Sequence, residues 1–113
     1  FCEVRYVLDP DRLEDFEDYG RAWIQLIERH GGTHYGFFMP RSAPSDATIS
    51  FIEKGQAGPT DVAIALYGFP DEPAYNNYRS AVAQDPQAAP VIDRFKDPPF
   101  KSYERVFLAP LTP

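Results

Sequence analysis

The longest apolar run in the chain is Asp61–Phe69, DVAIALYGF, bounded by Gly58-Pro59 before it and Pro70-Asp71 after it. Its length and borders predict a strand. Successive side chains of a strand point to opposite faces. Val62, Ile64 and Leu66 therefore share one face, and Ala63, Ala65, Tyr67 and Phe69 the other. Neither face is polar, and a strand apolar on both sides has to be covered on both. Only two substantial helices are predicted, Asp11–His30 and the region 72–95, so the second cover is expected from another copy of the chain.

The remaining elements follow from the same patterning. Cys2–Leu8 reads as a strand with Val4, Tyr6 and Leu8 on one face and Glu3, Arg5 and Val7 on the other. Asp9-Pro10-Asp11 stops it and opens a helix, in which Leu13, Phe16, Gly20, Trp23 and Ile27 recur at threes and fours as one buried stripe. The acids Glu14, Asp15, Glu17 and Asp18 suit the positive end of that helix and read as a solvated face. Gly31-Gly32 ends it, one of the pair taking the left-handed cap. Thr33–Met39 predicts a strand with Tyr35, Phe37 and Met39 on one face and His34, Gly36 and Phe38 on the other; Gly36 marks a bulge or a close backbone approach. Residues 40–60 read as an extended excursion around a short strand, Thr48–Glu53, either an arm or a loop.

A second helix starts at Asp71 or Glu72 and carries Tyr75, Tyr78 and Val82 on one face. Asp85-Pro86 breaks it, and Asp85 is expected to cap a shorter helix with Val91, Ile92 and Phe95 inward. Lys101–Leu108 is the last strand. The order βαββαβ is the ferredoxin-like arrangement. It makes residues 1–113 a single α+β domain, both helices on one face of a four-stranded antiparallel sheet, and leaves the other face bare. The first strand is placed between the third and the second with the last at an edge, so Arg5 would meet Glu104 only across a dimer.

Charge and composition narrow the partners. A net charge of −6 opposes nucleic acid, which needs clustered cations. No apolar run is long enough for a membrane span, and no signal-peptide pattern opens the sequence. With one cysteine, Cys2, no internal disulfide forms. The expected setting is cytoplasmic, and Cys2 reads as a small buried hydrophobe.

Several short stretches carry a family likeness: Glu3-Val4-Arg5-Tyr6 running to Leu8-Asp9-Pro10, Gly31-Gly32, Gly36-Phe37-Phe38, and Ala74-Tyr75 with Tyr78-Arg79 leading to Asp85-Pro86. In this order they resemble the NIPSNAP-like family of the dimeric α+β barrel superfamily, across most of the chain. The resemblance implies a homodimer in which two sheets stack face to face into a barrel. It assigns no single activity, since the superfamily holds cofactor-independent monooxygenases, isomerases, heme-binding enzymes and ligand sensors. Residues 40–60 are longer than the resemblance leads one to expect.

Candidate chemistry is sparse. His30 and His34 are the only histidines, Gly31-Gly32 lies between them, and no metal-ligand cluster or phosphate loop is present in the sequence, so no metal or cofactor is expected. Heme would need one of them as axial ligand. His34, opening a strand, is the candidate general base. Arg5, charged on an otherwise apolar face, reads as an ion-pair member or a ligand anchor. Tyr67 beside Ala63 and Ala65 leaves space for a pocket, and Tyr103 completes the set of candidate polar contacts. The expectation is a homodimer holding a small, mostly apolar molecule between sheet and helices, with cofactor-independent chemistry open to it. The alternative is a non-enzymatic dimerisation or interaction module.

Overall fold

The computed structural model describes residues 1–42 and 58–113. Within them the chain forms β1 (Cys2–Leu8), α1 (Leu13–Arg29), β2 (Thr33–Phe38), β3 (Val62–Gly68), α2 (Glu72–Gln84), α3 (Ala89–Asp93) and β4 (Phe100–Phe107). The expected Thr48–Glu53 strand lies outside the described residues. The four strands form one antiparallel sheet in the order β2-β3-β1-β4, and the ferredoxin-like α+β fold holds.

That order corrects one expectation. β1 sits between β3 and β4, so Arg5 lies directly opposite Glu104 within one chain. The guanidinium turns instead to Glu3 two residues away, Nε donating to Oε1 at 2.8 Å. Both groups are on the bare face, where water screens the pair.

Local chemistry sets the element ends. The Asp9 carboxylate accepts from the Asp11 N–H at 3.0 Å and starts a short 3-10 turn, Pro10–Arg12, that leads into α1. Gly31, at φ 94°, takes the left-handed stop, and the Gly32 N–H returns to the Ile27 carbonyl at 2.9 Å. Asp71 caps α2 by accepting from Ala74 N–H at 2.8 Å. Asp85 does not cap α3 as expected. Its carboxylate accepts from the Gln87 N–H at 2.9 Å and holds a turn, and the helix begins only at Ala89.

The core lies between the sheet and the helices. Cys2, Val4, Tyr6 and Leu8 of β1 and Ala63, Ala65 and Tyr67 of β3 point into it. The expected stripe on α1 holds at Phe16, Gly20, Trp23 and Ile27 and is widened by Tyr19, while Leu13 is 42% exposed. A Cβ on Gly20 would come within 3.2 Å of the Phe37 ring, so glycine there lets α1 ride directly over β2. Phe16, Tyr19, Phe37 and Phe100 surround Tyr6, with ring centroids between 4.9 and 6.2 Å from it.

β2 departs most from simple alternation. Pairing with β3 slips between His34 and Gly36, and Gly36 adopts φ 121°. After the slip Phe37 lies opposite Ala65 and His34 opposite Tyr67, so both face the helices. The expected split of His34 from Phe37 is thereby overturned, and Phe38 is left on the bare face, 53% exposed.

Candidate functional site

Four aromatic elements of sequence meet beneath the helices: Tyr19 and Trp23 from α1, His34 and Phe37 from β2, Tyr67 from β3, and Tyr75 and Tyr78 from α2. They wall a cavity of about 290 Å³. β4 contributes Arg105, which shares the helix side of the sheet because it lies opposite Val4.

His34 is held rigidly. Its ring stacks between Phe37 and Tyr67, with centroids 5.1 and 5.6 Å away. Nδ1 accepts the Gly36 backbone N–H at 2.9 Å. A backbone amide can only donate, so Nδ1 keeps its lone pair and the neutral ring carries its proton on Nε2. Burial lowers the imidazole pKa to about 4, with Glu28 pulling weakly the other way, so the ring is neutral near pH 7. Nε2 is buried and without a hydrogen-bond partner among the described residues. The same is true of the Trp23 indole Nε1, which can only donate. The cavity therefore contains two buried N–H donors without a hydrogen bond of good geometry, the Trp23 indole having the Tyr19 hydroxyl as its neighbour and the His34 ring having no such group. A buried donor left unmet costs about 1–3 kcal/mol unless water or a ligand intervenes.

The phenols keep their protons and can both donate and accept. Burial pushes Tyr6, Tyr67 and Tyr78 far above the usual phenol range and Tyr19 up to about 12, so each keeps its proton. Arg105 acts on all four in the opposite sense, which places its charge toward the cavity. Its guanidinium lies 5.8 Å from the Tyr103 ring centroid.

The structure brings together only part of the expected set. His34 and Tyr67 stack in the cavity wall. Tyr103 lies on the same side, 46% exposed, beside Tyr6 and Phe95 and beneath Arg105. Arg5 is on the opposite side of the sheet, where it lines a shallow hollow of about 510 Å³ with Val7, Val62, Ile64 and Glu104. The space expected beside Ala63 and Ala65 is taken by their cross-strand neighbours Tyr6 and Phe37. Trp23, Tyr19 and Arg105 were not anticipated. Arg105 had a signal: it alternates with Tyr103 and Phe107, so one face of β4 carries all three.

Neither histidine suits a heme iron. The Nε2 of His30 is 2.8 Å from Asp85 Oδ2, and ligation through His34 would require its ring proton to leave Nε2. Among the described residues no group of three or more His, Cys, Asp or Glu is placed to hold a metal ion, and no helix is long and apolar enough to cross a membrane.

A model of the NIPSNAP family matches residues 2–112. Among curated proteins no match is found. Among solved structures, an uncharacterized NIPSNAP domain protein from Burkholderia xenovorans is 19% identical with a TM-score of 0.68, over 97% of this chain and 93% of that one. A NIPSNAP family protein from Agrobacterium tumefaciens is 18% identical with a TM-score of 0.69, over 97% and 90%. At such identities the likeness concerns the fold alone, but the family model spans nearly the whole sequence. Because that family model covers residues 2–112, the chain belongs to the NIPSNAP family.

Proposed function

We propose that this is a cytoplasmic, homodimeric protein that holds a small, mostly apolar molecule in the cavity between helices and sheet. The observation that carries the reading is the pair of buried, unpartnered donors, Trp23 Nε1 and His34 Nε2, in an aromatic-walled space. Rings supply contact area and a few fixed polar groups set orientation, the usual composition of a ligand site. The bare sheet face serves dimerisation. Val7, Val62, Ile64 and Leu66 lie there half-buried in one chain, and a second copy would cover them.

Any chemistry at the site draws on donors. In its present tautomer His34 offers an N–H, which would stabilise negative charge developing on a ligand oxygen. The general-base role needs the Gly36 hydrogen bond broken first. Cofactor-independent catalysis in this reading therefore depends on electrostatic stabilisation, with Tyr67 and Tyr103 as further polar contacts. Arg5 belongs to the opposite face and to the dimer.

Trp23 is the sole tryptophan, so its emission reports on the cavity directly. A set of small neutral aromatic fragments is titrated against wild type and against Ala83→Phe, which narrows the cavity from α2. Fragments should shift Trp23 emission in wild type and lose that effect in the variant. Emission unmoved by every fragment would overturn the ligand reading and favour the interaction module.

A further inference from the structure

The cavity is unbalanced in charge. The chain as a whole carries 17 acidic against 11 basic residues, yet among the described residues the cavity is lined by Arg79 and Arg105 and by no carboxylate. Arg79 is occupied in part, its Nη1 donating to the Tyr75 hydroxyl at 3.1 Å. Arg105 makes no ion pair or hydrogen bond among the described residues. The group its guanidinium meets is the neutral Tyr103 ring, whose centroid lies 5.8 Å away. Two other groups lining the same cavity, the Trp23 and His34 N–H, are donors too. Arg105 lines the cavity while remaining exposed, so its guanidinium is hydrated and open to an acceptor bearing negative charge.

Resting on the reading of this cavity as a ligand site, we infer that the ligand is a small carboxylic acid with an aromatic or compact apolar body, bound as its carboxylate against Arg105. A carboxylate matches the guanidinium fork and accepts from neutral N–H donors at the same time. A single negative charge fits better than a phosphate's two, because apolar walls make each further unpaired charge costly. Size agrees: at about 30 Å³ per water, the cavity has the volume of roughly ten waters, which suits a molecule of about a dozen non-hydrogen atoms.

The test uses matched pairs of equal shape and different charge: phenylacetate with phenylacetamide, and 3-phenylpropionate with 3-phenylpropionamide. Binding is followed by Trp23 emission and by calorimetry at low salt, with wild type, Arg105→Gln and Arg79→Gln. Wild type should bind each acid at least about tenfold more tightly than its amide. Arg105→Gln should erase that preference while leaving the amide affinity within about twofold. Equal affinity of acid and amide in wild type overturns the carboxylate assignment and leaves the ligand site standing. A preference that survives Arg105→Gln and disappears in Arg79→Gln overturns the role of Arg105. Failure of all four compounds to bind overturns the carboxylate assignment, and the neutral-fragment titration then decides separately whether the site itself stands.

Discussion

At the scale of single residues, His34 shows how a backbone contact fixes a side chain's chemistry. One N–H from Gly36 chooses the tautomer, and two stacked rings choose the orientation. The imidazole also leaves a signature in stability. Its pKa is lowered on folding, from 6.5 to about 4, because burial disfavours the charged ring. Between those values the unfolded chain binds the proton and the folded one does not, so stability falls as pH drops from about 6.5 to about 4 and the effect is complete below that. Partial exposure screens the charge, and the loss should be on the order of 1–2 kcal/mol. Denaturant titrations across this range should show the slope in wild type and not in His34→Gln; equal slopes would exclude His34 as its source. Asp85 acts at lower pH. The His30 hydrogen bond, and after it the Gln87 N–H, holds its carboxyl below the usual range. Its contribution is present above the ordinary carboxylate value and lost as pH falls through the depressed one, a window distinct from that of His34.

At the scale of elements, regular patterning carried most of the fold and irregularity carried most of the site. The strands of alternating residues, a helix stop at Gly31-Gly32 and a helix start at Asp71 or Glu72 were legible because each rests on one local rule. Arg5 and Phe37 were misplaced for different reasons. Arg5 depends on which strands are neighbours, a long-range fact that no local period contains. Phe37 depends on the slip at Gly36, which reverses the facing of every later residue of β2. Tyr19 and Trp23 were hidden by chemistry: an aromatic stripe reads as core, and the unmet N–H of Trp23 becomes visible only when its surroundings are known. The bulge should be sensitive to substitution. Gly36→Ala places a Cβ at φ 121°, and although the space around it is open, with the nearest atom at 3.8 Å, the backbone itself is strained. A loss of roughly 1–2 kcal/mol is expected, with a change in Trp23 emission as His34 is released. An unchanged midpoint and spectrum would show that the slip is maintained without glycine.

At the scale of the whole molecule, the sheet has two apolar faces and one set of helices. The helix side is packed with rings from all four strands and from α1 and α2. The other side exposes Phe38 and Val106 around the half-buried Val62, Ile64 and Leu66. Placing a charge at its centre separates association from folding, since Ile64 points away from the core. Ile64→Lys should leave the far-UV spectrum intact and convert a dimer to a monomer in sedimentation at micromolar concentration. Wild type sedimenting as a well-folded monomer would remove the proposed barrel.

The one-residue slip at Gly36 has a consequence for kinship. It hands the cavity both an imidazole and a phenyl ring from a single short ribbon, which strict alternation would have sent to different sides. A relative bearing a bulky residue there would have to straighten the ribbon, exchange one of those two rings for solvent, and so line its cavity with a different chemistry under an unaltered fold.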